Sequence, residues 1–163
     1  MRTIEVKLYE FNELSDEAKQ KAIRDNSEIN MHYDWWDCTH ETWKEIGVRI
    51  DSFDLYKQHV GFNNLYDYED IAQSILSFFG EENDTYAFAK EYLEQVRKLD
   101  EESEDYDEDK EALEEEFYIE LENTIFDWLR TEYEWLISDE AIAETLEVNE
   151  YEFTENGSRY DHI

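Results

Sequence analysis

Proline is absent from the 163 residues, glycine occurs four times and cysteine once. Without proline, no position loses its backbone donor or clashes with the preceding turn, so long unbroken helices are open to the chain. Cys38, being alone, has no intramolecular disulfide partner, and nothing in the sequence demands an oxidising compartment. There is no glycine-rich phosphate loop, no Gly-x-Ser-x-Gly turn and no Cys/His nucleophile pair, so no enzymatic activity and no cofactor are expected. No apolar run approaches the roughly 20 residues that span a bilayer, and Met1 to Glu5 lacks the apolar core of a signal peptide. The expected location is the cytoplasm.

Basic residues are also scarce, with 14 Lys and Arg facing 46 Asp and Glu for a net charge of −32. The excess is uneven. Residues 1 to 50 carry 7 basic and 11 acidic side chains, whereas residues 51 to 163 carry 7 and 35. Yet the chain is not of the disordered acidic kind, because 5 Trp, 12 Tyr and 9 Phe supply apolar mass for a core. A chain of this length fits a single domain over residues 1 to 163. Such a domain spans about 40 Å, over which duplex DNA carries about 24 charges. The acidic part is comparable in linear density, which excludes direct binding of nucleic acid or anionic membrane and points to a basic partner.

The densest acid lies at the start of the longest helical pattern. Leu113, Phe117, Leu121, Ile125, Leu129, Tyr133 and Leu136 recur every three or four residues and define a core-facing stripe. Asp100, Glu101, Glu102, Glu104, Asp105, Asp107, Glu108, Asp109, Glu111, Glu114, Glu115, Glu116, Glu120 and Glu122 put 14 acids into 23 positions before and between them. These are the candidate partner-binding residues, together with Trp35. In the cluster of Tyr33, Trp35, Trp36 and Trp43, the helical period places Trp36 and Trp43 inward and leaves Trp35 as an exposed anchor.

Two metal patterns are weaker. Asp105-x-Asp107-x-Asp109 with Glu116 has the oxygen spacing of a calcium-binding EF-hand loop, but Lys110 stands where the sharp turn needs glycine. Cys38 and His40, with His32 and Asp34, lack the paired spacing of a zinc site. No metal is assigned.

The alternation of Ile4, Val6 and Leu8 predicts a first strand over residues 3 to 11, followed by a helix capped by Ser15. A helix over residues 32 to 46 stopped by Gly47, and a second strand over residues 48 to 55 bulged near Asp51 and Ser52, come next. Residues 59 to 66, with Gly61, Asn63 and Asn64, read as a loop. Helices capped by Asp67 (with Phe78 and Phe79 inward), from Asp84 to Leu99, through the acidic segment, and from Ser138 complete the middle. Tyr151 and Phe153, the two-residue Asn156-Gly157 turn and a returning strand over residues 158 to 163 predict a terminal hairpin. The expected class is α+β: one small, mainly antiparallel sheet of the N-terminal strand, the second strand and the C-terminal hairpin, with about six helices packed on it.

The run Tyr9-Glu10-Phe11-Asn12-Glu13-Leu14-Ser15-Asp16-Glu17-Ala18-Lys19-Gln20-Lys21-Ala22-Ile23, followed by Trp35-Trp36, resembles the opening of small acidic proteins encoded by bacteriophages and mobile elements, some loosely labelled antitoxin-like. Ile137 to Leu146, continuing to Phe153, is similar to their usual ending, and the likeness covers about a quarter of the chain. The resemblance implies a mobile-element origin, in the cytoplasm of an infected bacterial cell, where acidic proteins imitate nucleic acid to block restriction or CRISPR machinery. The leading expectation is a non-enzymatic, nucleic-acid-mimicking inhibitor that turns its acidic face to a basic nucleic-acid-binding protein of the host. The alternatives are an antitoxin-like or accessory phage regulator binding a protein through an aromatic patch at Trp35, and a calcium-responsive binding module.

Overall fold

The computed structural model describes residues 5–160. Its elements are β1 (Tyr9–Glu10), α1 (Asp16–Asp25), α2 (Asp37–Ile46), β2 (Val48–Asp54), β3 (His59–Asn64), α3 (Tyr68–Phe78), α4 (Asp84–Val96), α5 (Tyr106–Leu136), α6 (Asp139–Val148) and β4 (Glu152–Phe153). Short 3-10 turns cover Phe11–Glu13 and Ile29–Met31. The class is α+β, but the strands form two separate antiparallel pairs, β1 with β4 and β2 with β3, where one sheet was expected. Two compact units result: residues 1–35 with 132–163, and residues 36–131. Helix α5 runs in sequence from the second into the first.

In the first unit, of the strand expected over residues 3 to 11 the described residues form only Tyr9–Glu10 and Val6 is half exposed, while Thr3 and Ile4 lie outside the described residues. The reciprocal hydrogen bonds between Glu10 and Glu13 turn the backbone into a helical turn there, which carries Phe11 into the core. Ser15 accepts the Ala18 amide as the N-cap of α1, and Ser138 caps α6 on the Ala141 amide in the same way. The core is Phe11, Leu14, Ala18, Ala22 and Ile23 against Ile142, Leu146 and Phe153, with the Phe11 and Phe153 rings edge to face at 6.0 Å. Buried Asn30 donates to the Leu136 carbonyl at 2.9 Å, one of the carbonyls left over at the end of α5, and accepts from the Thr145 hydroxyl at 2.7 Å.

The terminal hairpin forms with a three-residue loop. Gly157 donates to the Thr154 carbonyl, and its φ of +82° supplies the left-handed residue of a bulged turn. The returning side is a single bridge from Phe153 to Arg159, and residues 161–163 of the expected strand lie outside the described residues.

In the second unit β2 and β3 form a hairpin with a register shift between Ile50 and Ser52, where the bulge was expected. Strand β3 occupies the segment read as a loop. Val60 and Phe62 alternate inward there, a pattern that Gly61, Asn63 and Asn64 obscured. Helix α2 begins at Asp37, five residues later than expected, and ends on Gly47 at φ +113°. Asp67 caps α3 by accepting the Asp70 amide, but Phe78, expected inward, is half exposed. Trp43, Ile46, Val48, Val60, Ile71, Ile75, Leu121, Ile125 and Leu129 are fully buried, and Trp43 and Phe79 each meet the Trp128 ring edge to face at 5.6 Å. Among the described residues no helix is long and apolar enough to cross a membrane.

Candidate functional site

Helix α5 is unbroken for 31 residues because nothing in it stops a helix. Its inward stripe is as predicted: Phe117, Leu121, Ile125 and Leu129 are buried, while Leu113, Tyr133 and Leu136 are half-buried. Asp107, Glu108 and Asp109 occupy the first turn, where free amides and the helix dipole favour carboxylates. The later acids have no such excuse. Glu111 and Glu115, and Glu116 and Glu120, are like charges at four-residue spacing, each pair costing the helix about 0.2–0.5 kcal/mol.

Asp100, Glu101, Glu102, Glu104 and Asp105 precede α5 in a series of turns and are exposed. These turns are held by local hydrogen bonds, including the Glu102 amide to the Asp100 carboxylate and the Asp105 amide to the Ser103 hydroxyl. On the helix itself Asp107, Glu108, Asp109, Glu111, Glu115, Glu116 and Glu120 are exposed, as is Asp127 beyond them. These eight carboxylates stand along about 30 Å of helix axis. Averaged over that length they amount to one charge per about 4 Å, a linear density close to the one per 3.4 Å of a DNA strand, with individual gaps from about 1.5 to about 10 Å. Both cations of α5 already reach carboxylates, Lys110 to Glu69 on α3 at 2.9 Å and Arg130 to Asp127 at 3.0 Å.

Three of the expected partner-binding residues are placed differently. Glu122 is half-buried, and its Oε1 lies 3.1 Å from His59 Nδ1 and accepts the Val60 amide, so it ties β3 to α5. Glu114 is half-buried beside Tyr68 and Tyr92. Burial in the first place, and this carboxylate after it, push the Tyr92 hydroxyl far above the ordinary range. Burial raises the Tyr68 hydroxyl too, against a hydrogen bond from Asn64. Trp35, the expected exposed anchor, is buried, with its ring 5.9 Å from Tyr133, whereas Trp36 is half-buried at the start of α2. The reversal follows from the late start of α2. Trp35 sits in a tight turn, its amide bonded to the Tyr33 carbonyl, and the helical period does not apply to it.

The calcium-like spacing falls on helix as well. Asp107, Asp109 and Glu116 belong to α5, so the loop that would wrap their oxygens around one ion does not exist. No group of three or more His, Cys, Asp or Glu among the described residues is placed to hold a metal ion.

A feature not anticipated from the sequence lies beside the acidic face. Two adjoining recesses of about 390 and 540 Å³ run between α4 and α5 and share Phe88 and Glu120. The floor of the first is aromatic: the Phe117 ring stacks on Tyr92 at 4.4 Å and meets Phe88 at 5.4 Å, whereas the second is lined mainly by polar side chains with Phe88 and Trp128. The signal was present in the sequence, since Asp84, Phe88 and Glu91 share one face of α4 at helical spacing. Their joint role needed α5 opposite them.

Compared with protein-family models, with curated proteins and with solved structures, the chain matches none.

Proposed function

We propose that the protein is a non-enzymatic inhibitor that presents the carboxylates of α5 and the preceding turns to a basic nucleic-acid-binding surface of a host defence protein, in the place of DNA or RNA. The single observation that carries this reading is the ordered acid of α5. Its exposed carboxylates are held on one helix at a mean linear charge density near that of a nucleic acid strand, and like charges are placed next to each other at a cost to the helix.

The distribution of charge within the second unit supports it. That unit carries 28 acidic and 8 basic residues, and half of the acids fall within residues 100–122. A plain solubility coat has no reason to concentrate charge in this way, whereas steering a cationic surface does. The proposed setting is the cytoplasm of an infected bacterial cell, and the proposed targets are restriction or CRISPR effectors.

The test is DNA cleavage by purified restriction and CRISPR nucleases with and without the protein. Inhibition that excess substrate duplex relieves is the expected result. Inhibition indifferent to added duplex contradicts substitution for nucleic acid.

A further inference from the structure

The channel between α4 and α5 has a chemistry of its own. Phe88 and Leu113 are half-buried on its floor, Phe117 and Tyr92 close it beneath them, and Ile119 stands 48% exposed at its edge. Glu91, Glu116 and Glu120 rim the first recess, and Glu82, Asp84 and Asp127 rim the second. Among the described residues, no Lys, Arg or His lines either one. From Leu113 to Trp128 the channel follows α5 for about 22 Å, the length of a helix of about 15 residues.

We propose that this channel seats a basic amphipathic helix of the partner protein. The inference rests on the reading that the partner is basic and adds that apolar contact, beyond charge, selects it. The first recess has an apolar floor between acidic rims, and the second continues it with Trp128 among the polar Asn83, Thr85, Asn123 and Thr124; together they are complementary to a helix with apolar side chains along one face, densest at one end, and Lys or Arg on both flanks. A nucleic acid, an anionic membrane and a second copy of this chain at net charge −32 are all repelled by the rims.

The experiment titrates the full chain with two synthetic 18-residue peptides of identical composition, following tryptophan fluorescence and calorimetric heat. One arranges Leu and Lys/Arg as an amphipathic helix, and the other permutes them to abolish the apolar face. The amphipathic peptide is expected to bind at least about tenfold more tightly, a difference of about 1.4 kcal/mol. Ile119→Ser, exposed and charge-neutral, is expected to cut that advantage below about threefold without changing the affinity of the permuted peptide. Equal binding of the two peptides overturns the seat while leaving the acidic-face reading intact. An advantage that survives Ile119→Ser removes it from this channel. Failure of both peptides to bind at low salt overturns this proposal and the reading it rests on.

Discussion

The Lys110 ammonium lies 2.9 Å from the Glu69 carboxylate and joins the most acidic turn of α5 to the first turn of α3. Their hydrogen bond is the largest influence raising the pKa of this lysine. Both side chains are partly open to water, so the pair is of the surface kind, worth about 0.2–1 kcal/mol. Lys110→Met is therefore expected to lower Tm by no more than a few degrees, measured by thermal unfolding at low salt. A raised lysine pKa stabilises the fold below the unfolded value and ceases to do so as pH rises through the folded one. The gap between wild type and Lys110→Met should accordingly close at strongly alkaline pH.

Tyr92 presents the opposite case, a buried hydroxyl with no hydrogen-bond partner among the described residues. An unpartnered buried hydroxyl costs about 1–3 kcal/mol, so Tyr92→Phe is expected to stabilise the protein by about 1 kcal/mol. The same burial raises the phenol pKa. Below pH about 10 the proton is bound in both states and stability is unaffected. Above it the unfolded chain releases the proton while the folded chain keeps it, so stability falls as pH rises. Denaturant unfolding between pH 8 and 11 should show a shallower alkaline decline in Tyr92→Phe than in wild type, with a residual slope from Tyr68.

Trp35 is buried, 5% exposed, with its ring beside Tyr133. Trp35→Ala is expected to destabilise by about 3–5 kcal/mol through the cavity it leaves. Any loss of partner binding should then follow the loss of folded protein, as parallel circular dichroism and binding titrations would reveal. Full stability with lost binding would instead restore Trp35 as a contact residue.

The sequence disclosed most where one physical rule acts alone. The stripe from Leu113 to Leu136, the serine and aspartate caps and the bulge after Ile50 depend on local periodicity and local hydrogen bonding, and each is found where it was read. It disclosed least where a neighbour decides. Val60 and Phe62 become a strand because β2 offers an edge, despite Gly61 between them and Asn63 and Asn64 after them. Trp35 turns inward because α2 starts two residues after it. The acids of α5 were legible as a group, but Glu114 and Glu122 face inward because β3, α3 and α4 pack against that side. Leu113 and Phe117 on the floor of the channel were read only as part of the core-facing stripe, since no periodicity within α4 or α5 alone shows that the two helices leave Phe88 and Leu113 half open.

The most direct test of the nucleic-acid-like face is the dissociation constant for an inhibited nuclease at 50 and 200 mM salt, measured for the wild type and for a Glu111→Gln, Glu115→Gln, Glu116→Gln, Glu120→Gln variant. The expected result is at least about a tenfold weakening of wild-type binding over that range and a shallower salt dependence in the folded variant. Affinity unchanged by salt, or the same slope with and without those four charges, would contradict it.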